Sequence, residues 1–192
     1  MKTVKFNICD ELIIKNSRFI TLLFKMDEEF DIEKVLNKVK NDYPKATHYC
    51  YAYITESTMK SSDDGEPGGT AGMPMLNVLE KERMINTLVV TVRYFGGIKL
   101  GAGGLVRAYS KAVKQAIDNA CVVEVEKGFL IKLSVSYDEQ KNIEYILKKY
   151  TILDKEYLQE VTYLVLLPKD KIDILNDYNY QIVNEKYIEK VL

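Results

Sequence analysis

The chain has 192 residues, 47% of them hydrophobic and 29% charged, which is enough apolar mass for one large globular domain or two small ones. A net charge of -1 excludes a global basic field for nucleic acid, so any such contact needs a local patch. The three cysteines, Cys9, Cys50 and Cys121, are widely spaced and form no CxxC pair, which argues against a disulfide framework and for a cytoplasmic protein.

The first residues, MKTVKFNICDEL, lack the apolar core of a signal peptide, and no later run reaches membrane length, so no membrane partner is expected. Strands are predicted over Val4 to Ile8, Leu12 to Lys15 and Arg18 to Lys25. Ile32, Val35, Leu36, Val39 and Tyr43 then follow helical spacing. Asp31 is a good N-cap for that helix, Phe30 can staple onto Val35, and Pro44 stops it. His48 to Ile54 alternates as a strand, with Tyr49, Tyr51 and Tyr53 on one face and His48, Cys50, Ala52 and Ile54 on the other. The small residues suit close contact with a helix, so the tyrosines should point away from it.

Thr55 to Gly72 reads as one long polar loop, and loops of that length are usually functional or disordered. It holds Asp63, Asp64, Gly65, Glu66, Pro67, Gly68, Gly69 and Thr70 in sequence. A helix through Met75, Leu76 and Leu79 follows. Leu88 to Val92 is apolar at consecutive positions, which predicts a central strand covered on both faces.

Next comes RYFGGIKLGAGGLVRAY, from Arg93 to Tyr109, with glycines at 96, 97, 101, 103 and 104 and cations at Arg93, Lys99 and Arg107. The helix after it buries Leu105, Tyr109, Ala112, Val113, Ala116 and Ala120. Its other side carries Arg107, Lys111 and Lys114 as one basic stripe. A glycine loop that opens a helix presents free N–H groups where the helix dipole already favours negative charge. The run therefore reads as a place for phosphate or another anion. The competing reading is a tight turn and a close helix–strand crossing.

After Gly128 the chain has no glycine, arginine or cysteine. This shift, beside the Glu124-to-Lys127 charge cluster, predicts two domains, 1–127 and 128–192. The second reads β-α-β-β-α-β: strands at 130–137, 151–157, 162–167 and 181–187, one helix through Ile143, Ile146, Leu147 and Tyr150, and a short one opened by Pro168. That order suits a ferredoxin-like unit.

Arg93, Gly96, Gly97, Lys99, Gly101, Gly103 and Gly104 are expected to line one concave site with His48, Asp63, Asp64, Glu66, Thr70 and Tyr94. Arg107, Lys111 and Lys114 would extend it toward nucleic acid. The Walker A signature is absent. Asp63, Asp64 and Glu66 offer hard oxygen ligands for magnesium, without EF-hand spacing; alternatively they pair with Arg93, Lys99 or Arg107. No other cofactor is expected. His48 has Cys50 two residues on, yet no nucleophile-elbow motif is present, and no catalytic residue is assigned. The tyrosine stripe could stack bases, or pack under another element.

KNSRFI (15–20), ATHYCYAY (46–53), DDGEPGGTAGMPM (63–75) and RYFGGIKLGAGGLVRAY (93–109) together resemble the IMPACT family of the bacterial YigZ type. Gly68 departs from the family pattern, which often has serine there; Thr70 remains the nearby hydroxyl. The resemblance implies an α+β protein of two domains. The first would be ribosomal protein S5 domain-2-like, and the second ferredoxin-like, similar to the last domain of elongation factor G. Eukaryotic members regulate translation by competing for the activator of an initiation-factor kinase, through an extra N-terminal domain without counterpart in this sequence. The expected role is a non-catalytic, translation-linked one: binding RNA, the ribosome or a protein partner. The alternative is an enzyme or sensor that takes a phosphorylated small molecule or nucleotide at the glycine loop. The sequence leaves the oligomeric state open.

Overall fold

The computed structural model describes residues 1–190, and the final two residues of the expected 128–192 domain lie outside it. The chain divides into two units, Met1–Val123 and Glu124–Leu192. Both are α+β.

In the first unit the elements are β1 (Lys2–Val4), β2 (Ile8–Ile14), β3 (Ser17–Lys25), α1 (Ile32–Asp42), β4 (His48–Ile54), β5 (Met59–Ser62), α2 (Gly72–Lys81), β6 (Thr87–Tyr94) and α3 (Ala102–Asn119). Strands β2-β3-β6-β4-β5 form one antiparallel sheet. The β2–β3 hairpin turns through Lys15 and Asn16, both with positive φ (45° and 64°), the geometry of a tight two-residue turn that matches strand twist. β6 is central, and every residue from Thr87 to Arg93 is buried, as its unbroken apolar run predicts.

Period-two alternation sorts the sheet residues onto two faces. On one, Ile20, Leu88, Val90 and Val92 pack with Val39 of α1, and Tyr49, Tyr51, Tyr53 and Tyr94 lie against the same cluster. The tyrosine stripe thus packs beneath α1, and the Tyr49 hydroxyl donates to the Tyr43 carbonyl (2.6 Å). On the other face Cys50 pairs with Thr91 and Ala52 with Val89, and α2 packs against β4 while α3 packs on β2 and β3. Asp31 caps α1, accepting from the Lys34 N–H at 3.0 Å.

The strand expected over Val4 to Ile8 ends at Val4, and Lys5 instead donates its N–H to the Cys121 carbonyl (2.7 Å). The long polar loop contains β5, which pairs with β4 from Tyr51–Ser62 to Ile54–Met59. An edge strand needs only its main-chain ladder, so a polar sequence with no apolar alternation still forms one.

The second unit runs β7 (Val122–Val135), α4 (Gln140–Leu147), β8 (Thr151–Tyr157), β9 (Val161–Pro168), a short 3₁₀ segment (Lys169–Leu175) and β10 (Asn179–Glu189). The pairing β10-β7-β9-β8, antiparallel throughout, is the ferredoxin-like order. Its core is Ile131, Leu133, Val135, Ile143, Leu147, Val161, Tyr163, Val165, Leu167 and Leu175. β7 begins eight residues before the expected start at Leu130. A Cβ on Gly128 would meet Ile188 Cδ1 at 2.5 Å and the Leu167 carbonyl at 2.7 Å, so this glycine serves packing. Among the described residues, no helix is long and apolar enough to cross a membrane.

Candidate functional site

Arg93 stands at the end of β6, directly opposite His48 of β4, so both project on the sheet face that α2 and α3 cover. Tyr94, one residue on, points to the opposite face, where its hydroxyl donates to the Pro44 carbonyl (3.1 Å). Tyr94 therefore does not belong to the expected pocket, because neighbouring strand residues alternate.

Arg93 is 5% exposed. Its Nη1 donates to Glu66 Oε1 at 2.6 Å, in an ion pair whose side chains are 6% and 3% exposed. Nη2 reaches Ser17 Oγ at 3.5 Å, while Nε is buried without a partner. The guanidinium lies 5.4 Å from the Phe19 ring centroid and 5.7 Å from that of Phe95. Glu66 also accepts from the Tyr109 hydroxyl (2.9 Å), and Cys50 Sγ donates to that hydroxyl (3.3 Å). His48 Nδ1 donates to the Asp64 carbonyl (2.8 Å), and its Nε2 stands 3.7 Å from Glu66 Oε2. Burial pushes the Cys50 thiol up to about 12 and the Tyr109 phenol upward as well, so neither ionises near neutral pH.

The acidic loop is the frame of this cluster. Asp63 accepts the backbone N–H groups of Gly69 (2.8 Å), Ala71 (2.9 Å) and Gly72 (2.8 Å). Asp64 accepts from Tyr49 N–H (2.6 Å), and the Thr70 hydroxyl donates to the Pro67 carbonyl (2.6 Å). The three carboxylates face different partners and do not form a ligand set. Among the described residues, no group of three or more His, Cys, Asp or Glu is placed to hold a metal. The internal pairing is realised by Glu66 with Arg93, not with Lys99 or Arg107.

Asp63 yields one pH prediction. Burial works against its carboxylate, but the three N–H donors outweigh burial and hold its pKa below the usual aspartate value. A depressed folded pKa means the contribution is complete above the unfolded pKa and is lost as pH falls through the folded one. Amide protection factors at Gly69, Ala71 and Gly72 should hold at neutral pH and drop below about pH 4. Protection unchanged down to pH 2 would show that Asp63 does not hold the loop.

The five glycines separate by role, and a Cβ on Gly104 would meet Leu100 Cβ at 3.0 Å. A Cβ on Gly96 would lie 2.1 Å from the Asn16 carbonyl carbon and 2.4 Å from the Ser17 nitrogen. Here the chain passes against the β2–β3 turn, and Gly96 N–H donates to Ser17 Oγ (3.1 Å). Gly97 and Gly101 hold positive φ (84° and 72°), and Gly101 is the N-cap of α3 with no side-chain cap bond. Gly103 is exposed, with nothing within 4 Å of its Cβ position.

The basic stripe is also uneven. Lys114, expected in the basic stripe, pairs with Glu82 (3.3 Å) and Asp118. Lys99, Arg107 and Lys111 are exposed and have no acidic partner within ion-pair distance among the described residues. Ser17 and the hydroxyl of Tyr109 escaped sequence reasoning as members of the cluster. The signal for Tyr109 was available: a tyrosine on the buried side of a helix needs a partner for its hydroxyl.

Residues 15–117 match the family described as the Impact N-terminal domain. The chain is 38% identical over 181 residues to the IMPACT family member YvyE of Bacillus subtilis (strain 168), spanning 92% of this chain and 83% of that protein. It is 36% identical over 166 residues to the IMPACT family member YigZ of Escherichia coli (strain K12), spanning 83% and 81%. A crystal structure of a hypothetical protein superposes with a TM-score of 0.62 at 29% identity, covering 95% of this chain and 97% of the other.

Proposed function

Because the chain belongs to the IMPACT family, we propose that it is a non-catalytic, translation-linked regulator that binds the ribosome through its glycine-loop face. Translation enters through the family, whose eukaryotic members regulate it. The binding face is the stretch from Phe95 to Gly101 with the exposed side of α3. Support comes from the contrast between two sets of charges. Arg93 and Tyr109 both donate to Glu66 inside the fold. Lys99, Arg107 and Lys111 are exposed and have no acidic partner within ion-pair distance among the described residues. Buried charges that are paired hold structure, whereas exposed unpaired ones are available to a partner. Chemistry at the cluster is disfavoured, since the Cys50 thiol is held protonated and His48 Nδ1 is committed to a carbonyl.

Cosedimentation with purified ribosomes over a salt series tests this. The wild-type protein should bind at low salt and release as salt screens the contacts. Lys99→Ala, Arg107→Ala and Lys111→Ala together should lower affinity about tenfold or more and flatten the salt slope by about two to three units. Lys114→Ala should have a small effect, because Lys114 is already paired. Absence of binding at low salt, or indifference to the triple substitution, would overturn the reading.

A further inference from the structure

We propose that the glycine-loop face recognises an acidic protein segment bearing apolar side chains, and not the phosphates of an RNA; this rests on the reading of that face as the binding surface. Three large apolar side chains project from it: Phe95 is 47% exposed, Ile98 46% and Val106 37%. Phe95, Ile98 and Lys99 lie within five residues of one loop. Arg107 and Lys111, four residues apart, share the outward side of α3, and Val106 is exposed at its margin. The segment from Phe95 to Lys111 therefore presents three exposed apolar side chains and three exposed cations that have no ion-pair partner among the described residues.

That combination selects between polyanions. Phosphate contacts need cations, and bases need aromatic or guanidinium planes to stack on. Phe95 and Arg107 offer such planes, but Ile98 and Val106 offer none. They lose water only against apolar side chains, which a protein segment supplies. Carboxylates spaced among apolar residues complement the face at both levels.

The face is also held in place. Phe95 donates its N–H to Thr47 Oγ1 (3.0 Å), and Gly96 donates its N–H to Ser17 Oγ (3.1 Å). The buried Arg93 guanidinium lies beside the Phe95 ring. A pinned loop loses little entropy on binding. Gly97 and Gly103 have nothing within 4 Å of their Cβ positions, so a partner's backbone can approach between the projecting side chains.

The test is selection of a random linear peptide library on the immobilised full-length chain. Enriched peptides should carry Asp or Glu interspersed with aliphatic or aromatic residues. They should bind the wild type about tenfold more tightly than Ile98→Ser or Phe95→Ser/Ile98→Ser, and also than Lys99→Glu/Arg107→Glu/Lys111→Glu. Replacing their apolar residues by serine should abolish binding, and an oligouridylate should compete poorly. Ile98→Ser alone leaves Phe95 beside Arg93, so a folding defect in the double variant does not spoil the test. No enrichment, enrichment without acidic residues, or unchanged affinity for Ile98→Ser overturns the proposal. Ribosome cosedimentation with the same variants separates the two readings. If the cation substitutions weaken it while Ile98→Ser and Phe95→Ser do not, and oligouridylate competes, the face reads RNA and only this inference falls. If none of the variants matters, both fall.

Discussion

Glu66→Ala is expected to destabilise the protein by about 3–5 kcal/mol, the range for removing one partner of a buried ion pair. Arg93 would be left 5% exposed with no counter-charge. Its Nε already lacks a partner, so the guanidinium would keep one long hydrogen bond, to Ser17, beside the Phe19 and Phe95 rings. Tyr109, fully buried, would lose the acceptor for its hydroxyl. Urea unfolding measures the loss as a lower midpoint at similar slope. Tyr109→Phe should cost far less, about 1–2 kcal/mol, since Glu66 keeps Arg93. The double variant Glu66→Leu/Arg93→Met should recover much of the Glu66→Ala loss, because two apolar groups leave no buried charge unpaired. A loss under about 1 kcal/mol for Glu66→Ala would mean that water reaches the pair and that the cluster is not a structural unit.

Gly96→Ala and Gly103→Ala should move stability in opposite directions, although the two glycines sit seven positions apart in one motif. Gly96 has no room: an added Cβ would meet backbone atoms of Asn16 and Ser17 at 2.1 to 2.4 Å. Backbone cannot rotate aside as a side chain can, so the cost should reach about 3 kcal/mol or more. The loop would have to lift from the β2–β3 turn, which also breaks the Gly96-to-Ser17 hydrogen bond. Gly103 has open space and helical backbone, so alanine there should stabilise by about 0.5 kcal/mol through lower chain entropy and better helix propensity. Thermal melts of the two variants beside the wild type decide it. A tolerated Gly96→Ala would show that the loop does not rest on the turn. A destabilising Gly103→Ala would place a constraint on α3 that its surroundings do not explain.

Local patterns in the sequence settled much of the architecture. The Asp31 cap, the alternation of His48 to Ile54 and the apolar run of β6 each depend on residues a few positions apart and take their expected form, as does the helical face from Leu105 to Ala116, while Ala120, expected on that face, is the half-buried C-cap. The motifs at 15–20, 46–53, 63–75 and 93–109 together point to the family. Only the tertiary structure decided what those motifs do to one another. Glu66 and Arg93 are 27 positions apart, and their pairing follows from where β6 ends relative to the acidic loop. Gly96 is required by Asn16 and Ser17, about eighty residues away, so a glycine needed for packing and one left open look alike in sequence. Lys114 reads as part of a free basic stripe until α2 brings Glu82 within 3.3 Å. β5 has no apolar signature because an edge strand is held by main-chain bonds to β4, which carry no sequence pattern. Periodicity records which side of an element is buried, since burial acts on each side chain separately. Which distant side chain it meets there depends on the packing of whole elements, and that information is absent from any short window of the chain.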